Sequence, residues 1–532
     1  MVGRLRVAGA ALVWVMVLAC HDVPIKGAYC KSSLDCTEKP YTTCDTHRNA
    51  CSIPSAGDMS SGPDGGLGDL NGPMCTAATA ATACADPMKP ICGTGGSCQA
   101  CSDSGDDAAC LARSAMTPRC LTAGSNEGQC GACVPAATET QSKDCAGALG
   151  DDSPTPVCAD SGSCRACQSH AECTSGICIF DGLNAGACAG VSAVALVDNG
   201  GATTAQCQAN RTKRDGTSAT TAYCDVSEAV TAKKSYVLVK ASTQPYGAIA
   251  LTDQSITIVG PGKASGTTGI VRLYSPGAAS VNVTANSGAN STVLDGLELG
   301  GDTVSKSLRG LACTNSSGVV TNASVTVRNC GLHDSSDVGI SNNGCTLVAD
   351  ANIIGVWGSG DGGNAGGGVS LVGSNNSTLT NNIIAGNGSL TTQTAGISIG
   401  NSSTVTIAFN TIVFNAVMAG VGGIDCGTGT PKTILDSIVY KNTNSGGSQL
   451  GAACTLTNVA TFLNDDTHGT VNATPPTFVS AFDFHLVAKD KANEACCVDK
   501  VVKPGTPNNL HDVDLNTRPR GVSWDIGAHE VE

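Results

Sequence analysis

Charge is scarce in this chain: Lys, Arg, Asp and Glu together make up 14% of its 532 residues, against roughly a quarter in an ordinary soluble domain. That excludes a long coiled coil and most disordered tails, both of which are built on Glu and Lys. Basic residues are the scarcer sign, 30 against 44 acids, and a net charge of −14 leaves no stripe for a phosphate backbone, so nucleic acid is not expected as a partner. Aromatics are only 3%, so a core must come from Val, Ile, Leu and Ala. Beyond the first twenty residues no apolar run approaches the roughly 20 residues that span a bilayer. Between Asn329 and Pro431 there is no Lys, Arg or Glu at all.

What is abundant is Gly, at 66 residues, and Cys, at 30. So many thiols suit an oxidising compartment outside the cytosol. Arg4 and Arg6 precede an apolar run from Val7 to Ala19, too short to span a membrane and shaped like a secretory signal. It ends in Val17-Leu18-Ala19-Cys20. This resembles the lipobox of bacterial lipoproteins, and the resemblance implies removal of residues 1–19 as a signal peptide. It also implies a lipid anchor on Cys20 and export to the outer membrane or cell surface of a Gram-negative bacterium.

Cysteine placement divides the rest. After Cys20 come five groups of four: Cys30, Cys36, Cys44, Cys51; Cys75, Cys84, Cys92, Cys98; Cys101, Cys110, Cys120, Cys130; Cys133, Cys145, Cys158, Cys164; and Cys167, Cys173, Cys178, Cys188. The last four groups abut through two-residue gaps. Each unit has too few large apolar residues to fold on a core alone, so two disulfides per unit are expected, with three pairings open. One histidine, His170, lies between Cys75 and Cys188, and in an oxidising compartment the C-x-x-C steps read as structural disulfides, with no metal. The lipidated N-terminus and first unit then span 20–51, a Gly/Ser/Pro/Asp linker 52–74, and four further units 75–188. Such spacing resembles Cys-rich repeats of surface lipoproteins in some Gram-negative soil bacteria.

From about Val191 the chain alternates short β-rich runs with Gly/Asn/Ser turns. A Gly-apolar start recurs at Gly310, Gly339, Gly368, Gly396 and Gly423. About fourteen residues after the last four of these comes a second anchor at Asn352, Asn382, Asn410 and Ser437, with Asn329 and Asp295 in the same place in earlier, longer turns. A repeat of this length with β-branched strands is a solenoid signal. One rung reads as strands Ile397–Ile399, Thr404–Phe409 and Thr411–Phe414, broken at Asn410, a residue that tolerates left-handed backbone. The pattern resembles the right-handed parallel β-helix of the pectate-lyase-like superfamily, with three-strand rungs and an asparagine ladder. The fold class expected is therefore all-β: this helix over 190–490, preceded by small disulfide-stapled Cys-rich repeats.

The C-terminus carries Thr477-Phe-Val-Ser-Ala-Phe-Asp-Phe-His-Leu, Asp512-x-Asp514-x-x-x-Arg518-Pro519 and Asp525-Ile-Gly-Ala-His-Glu530. This is similar to the choice-of-anchor Q domain of secreted bacterial β-helix proteins, which implies a surface location and a C-terminal cap over 491–532. Asp512, Asp514, Asp525 and Arg518 read as an ion-paired cap. Cys207 with Cys224 and Cys426 with Cys454 are expected to bond, while the adjacent Cys496 and Cys497 are not. With Cys20 lipidated an odd cysteine remains, free or paired with another chain.

In the pectate-lyase-like superfamily substrate lies along the outer face of the first strand of each rung. Alternation puts Ser341, Ser370, Ser398 and Asp425 there, a row of hydroxyls ending in one acid, without the cationic base an eliminating lyase needs. The loops offer another constellation: Asp334, Asp337 and Asp361 as candidate catalytic acids, with His333 and Trp357 as ligand contacts. Acids meeting there would suit glycoside hydrolysis or a Ca²⁺ ion, although Asp is also a good turn former. The favoured expectation is a cell-surface lipoprotein displaying a non-catalytic β-helix that contacts glycans or another cell, with no cofactor. The alternative is a polysaccharide hydrolase or lyase.

Overall fold

The computed structural model describes residues 75–531 except 77–78, 147–152, 264–270, 287–289, 303, 316–322, 357–361, 374–375, 390–393, 401–402, 419, 429–430, 445–448, 463–473 and 502–510. In a separate unit, Met1–Met74, it describes the strands Thr43–Asp45 and Ala50–Ser52. The signal segment, Cys20 and residues 53–74 of the linker lie outside the described residues.

Each of the four described Cys-rich units joins its first cysteine to its third and its second to its fourth. The bonds are Cys75–Cys92 and Cys84–Cys98, Cys101–Cys120 and Cys110–Cys130, Cys133–Cys158 and Cys145–Cys164, and Cys167–Cys178 and Cys173–Cys188. The third and fourth cysteines face each other across a tiny antiparallel pairing, as in Cys92 opposite Cys98 and Cys120 opposite Cys130. Cys44 faces Cys51 in the same way. The buried clusters of these units are mostly sulfur, with Ile91 and Val157 the main aliphatic additions. Bonds worth about 2–4 kcal/mol each therefore stand in for a core.

The second half is a parallel β-helix. Its three sheets hold 7, 10 and 9 strands, each pairing in parallel with the corresponding strands of adjacent rungs. In one rung the first, second and third strands are Ile397–Ile399, Val405–Ala408 and Thr411–Val413. Inward residues stack in register: Leu311, Ile340, Val369, Ile397 and Ile424 from the first sheet are all within 2% of full burial. The recurring glycines have a steric cause. A Cβ on Gly339, Gly368 or Gly396 would stand 2.2–2.9 Å from the carbonyl oxygen of the next glycine in the column and within 3.1 Å of the inward Ile354, Ile384 or Ile412. Helix Val226–Thr231, N-capped by Asp225, sends Val226, Ala229 and Val230 into the core at the first rung, and Cys207–Cys224 ties it to helix Thr204–Asn210.

The corner between second and third strands carries the expected ladder, shifted by one residue in its detail. Asn352 Nδ2 donates to Asn382 Oδ1 at 2.9 Å, Asn382 Nδ2 to Asn410 Oδ1 at 2.9 Å, and the Asn410 N–H to Ser437 Oγ at 3.1 Å. The left-handed residue is the one before each: Ala351, Asn381, Phe409 and Asp436 have φ between 46 and 56°. Asn410 is thus a ladder residue and Phe409 makes the bend. Asn329 is likewise a left-handed corner residue (φ 51°), and Asp295 ends a strand. The ladder position above Asn352 belongs to Cys330, whose N–H donates to Asn352 Oδ1 at 3.0 Å and whose Sγ accepts from the Leu297 N–H at 3.5 Å. A second ladder, absent from the sequence reading, follows the third strand: Asn364, Asn387, Asn415 and Asn442 are joined in turn by amide bonds of 2.8–2.9 Å.

Third-sheet strands are buried on both faces, which explains the consecutive Ile353-Ile354 and Ile383-Ile384. Ile354, Ile384 and Ile412 face the solenoid core. Ile353, Ile383, Val413 and Ile438 pack outward against Phe484, Leu486, Trp524, Ile526 and Ala528. The C-terminal region therefore lies along a flank, pinned by the Gly527 N–H to the Asp436 carbonyl and by the Ala528 N–H to Thr411 Oγ1. Cys426–Cys454 is bonded as expected, and Cys313–Cys345 adds a bond between rungs. Cys496 and Cys497, expected to stay apart, bond to each other. Cys330 is the free cysteine among the described residues, and burial pushes its thiol up to about 12.

Candidate functional site

The outer face of the first sheet is as its alternation implies. Asn282, Ala312, Ser341, Ser370, Ser398 and Asp425 form one in-register column. The serines are half-buried, and hydroxyls recur about every 4.8 Å. Asp425 accepts from the Gly427 N–H at 3.0 Å. The column can exchange hydrogen bonds with a neutral polar ligand and holds no basic side chain.

The loop candidates fall to separate partners. Asp334 is a left-handed corner residue (φ 51°), 1% exposed. Its Oδ2 meets His333 Nδ1 at 3.0 Å and the Gly362 N–H at 3.0 Å. Burial works against its charge, but those two bonds prevail and hold its carboxyl below the ordinary value. His333 Nε2 faces Glu298 at 3.5 Å, and Glu298 takes Arg272 at 3.2 Å, so the pair belongs to a buried polar chain along the third sheet. Asp337 pairs with Arg309 at 2.8 Å. Trp357 and Asp361 lie outside the described residues.

A cleft of about 790 Å³ that the sequence reading missed lies on the outer face of the second sheet. Its floor is the in-register column Asp295, Arg328, Asp350. The last Cys-rich unit supplies one wall with His170 and Phe180, and the C-terminal region the other with His511 and Leu515. Leu238, Val259 and Pro261 add apolar surface. Arg328 donates through Nε to Asp295 Oδ2 at 2.5 Å, lies 4.0 Å over the Phe180 ring and is 3.6 Å from Asp181.

Each wall sends one histidine to one floor acid. His170 Nδ1 accepts the Cys178 N–H at 3.0 Å, which leaves Nε2 to donate to Asp295 Oδ2 at 2.9 Å. His511 Nδ1 faces the Asp512 carbonyl at 3.1 Å and Nε2 the Asp350 carboxylate at 3.0 Å. Both partners are acceptors, so both nitrogens carry protons. Burial opposes that charge, but the Asp350 bond outweighs it and raises the His511 pKa. For Asp350 burial is likewise overcome, by His511, Thr380 and Asn381, and for Asp295 by His170 and Arg328, so both acids stay below their ordinary value. Two rungs separate them, about 9.6 Å of backbone. With both carboxylates held ionised, neither is a proton donor.

The signals were present but separate. Arg328 immediately precedes the stretch without Lys, Arg or Glu, and His170 is the lone histidine of the Cys75–Cys188 repeats.

Next to the cleft Lys263 Nζ donates to the Ala351 carbonyl at 2.9 Å, to Asn329 Oδ1 at 3.4 Å and to the Val513 carbonyl. The acids of the C-terminal region are engaged in its own packing. Arg518 meets Glu530 at 2.6 Å, both within 1% of full side-chain burial, and also donates to the Gly527 carbonyl. Burial pushes Asp525 up to about 7. Asp512, Asp514 and His529 present ligand atoms within 4.8 Å of one another. Asp512 Oδ1 already accepts two backbone N–H groups, Asp514 faces His485 at 3.0 Å, and His529 Nδ1 accepts the Leu486 N–H.

No family model matches the chain, and no curated protein matches it. Among solved structures it is similar to the pectate lyase Pel9A at 15% identity, over 64% of this chain and 96% of that one, with a TM-score of 0.34.

Proposed function

We propose that the chain is an exported surface lipoprotein, anchored through lipid on Cys20 at the outer membrane or cell surface of a Gram-negative bacterium. Its β-helix is a non-catalytic module that binds neutral glycan on a neighbouring surface. The observation that carries this reading is the in-register column Ser341, Ser370, Ser398 and Asp425. Hydroxyls donate and accept at one atom and cost little to desolvate beside a chain of sugar hydroxyls. The twelve disulfides among the described residues suit an exported chain. Support against turnover comes from the engagement of Asp334 and Asp337 by His333 and Arg309.

The test is a glycan array with the full chain, run beside a reducing-end assay on every glycan bound. Binding without new reducing ends, lost in Ser370→Arg, is the expected result. Turnover of a bound glycan, or binding indifferent to Ser370→Arg, would overturn the reading. Labelled fatty acid is expected on the wild-type chain and absent from Cys20→Ser.

A further inference from the structure

We propose that the cleft between the last Cys-rich unit and the second sheet is a binding site of its own, and that its ligand is a short segment of neutral pyranose sugar. The site is distinct from the serine column, which lies on the first sheet.

Charge balance selects a neutral ligand. Asp181, Asp295 and Asp350 face the Arg328 guanidinium and the His511 imidazolium, and the Lys263 ammonium stands beside Asn329. An anion would meet three carboxylates, and a cation would meet Arg328 with His511. Hydrogen-bonding capacity remains on both signs. Arg328 bonds Asp295 through Nε, and among the described residues its Nη groups make no bond shorter than the 3.6 Å approach to Asp181. Asp295 takes both its bonds on Oδ2, leaving Oδ1 with no bond from a described residue. A donor edge and an acceptor atom on adjacent strands fit vicinal hydroxyls, each of which gives and takes one bond. A peptide group presents its donor and acceptor on opposite sides and fits this pair less well. The apolar wall of Leu238, Val259 and Pro261 matches the C–H face of a pyranose ring. The volume, about 790 Å³, falls in the range of small-molecule sites.

Saturation-transfer NMR on the full chain tests this, with methyl glucoside, methyl galactoside, methyl mannoside and the methyl glycoside of N-acetylglucosamine as probes. Transfer to at least one probe is expected. Affinity should fall about tenfold or more in Arg328→Gln, the loss of one charge-assisted bond, and as much in Leu515→Trp. Leu515 is 47% exposed at the rim, so that variant blocks the cleft without touching the core. Ser370→Arg should leave this binding intact, which separates the cleft from the serine column. No transfer to any of the four, or transfer indifferent to Leu515→Trp, overturns the proposal.

Discussion

His511 donates from Nε2 to Asp350 Oδ2 at 3.0 Å and from Nδ1 to the Asp512 carbonyl at 3.1 Å, a geometry that only the imidazolium satisfies. Its folded pKa lies above the ordinary 6.5. The stability it contributes is therefore fully present below pH 6.5 and is lost as pH rises through the folded value. The Asp350 side of the pair runs the other way: its pKa lies below 3.8, so that contribution is present above pH 3.8 and fades as pH falls below it. His511→Gln should destabilise the chain at pH 6 by roughly 1 kcal/mol, as for a partly exposed ion pair, and much less at pH 9, read as a lowered calorimetric Tm. An equal loss at pH 6 and pH 9 would refute the imidazolium at His511.

Cys330 holds a ladder position with a weaker group than its neighbours. An asparagine there would find its partners in place: the Leu297 N–H and Leu294 carbonyl that the thiol now contacts at 3.5 and 3.6 Å, and Asn352 Oδ1 below. Cys330→Asn should stabilise the chain by about 1 kcal/mol, read as a raised denaturation midpoint. A lowered midpoint would show that the volume at this site matters more than the bonds.

Asn382→Ala should do the reverse and strongly. It removes Oδ1 from the Asn352 N–H and Nδ2 and takes Nδ2 away from the Ala349 carbonyl. Stranded buried groups cost about 1–3 kcal/mol each, so a loss of about 3 kcal/mol or more is expected in denaturant unfolding.

Glu530→Gln leaves the Arg518 guanidinium buried without its counter-charge. Breaking one side of such a pair costs about 3–5 kcal/mol. Limited proteolysis should then release the C-terminal region while the solenoid survives; equal resistance of the variant would show that apolar packing alone holds the flank.

The first Cys-rich unit should repeat the pairing of the other four. Non-reducing peptide mapping is expected to find Cys30–Cys44 and Cys36–Cys51. With Cys330 free, Cys20 is then left over for its lipid.

The solenoid was readable because its causes recur at fixed spacing. Gly339, Gly368 and Gly396 repeat since each meets the same carbonyl and the same isoleucine side chain. The same repetition marks Asn410 but suggests the corner for it, because asparagine suits both a left-handed corner and a buried ladder, and only burial separates the two. Phe409 has the conformation that the sequence suggests for its neighbour. Ser341, Ser370 and Ser398 could be aligned because alternation within a strand fixes their side. The cleft could not. His170, Arg328 and His511 come from three distant segments, and nothing local tells that a Cys-rich unit and the C-terminal region flank the same column.

The crossed pairing within each Cys-rich unit has a mechanical consequence. Pulled at its ends, an unbonded segment from Cys75 to Cys98 could stretch to about 80 Å. Load entering at Cys75 instead crosses to Cys92 over a Cα–Cα gap of 5.7 Å and runs only the six residues to Cys98, about 25 Å in all. The remaining residues of the unit stay slack and unloaded. A row of such units transmits force at nearly constant length until a sulfur–sulfur bond is reduced, so a reductant would lengthen it and tension alone would not.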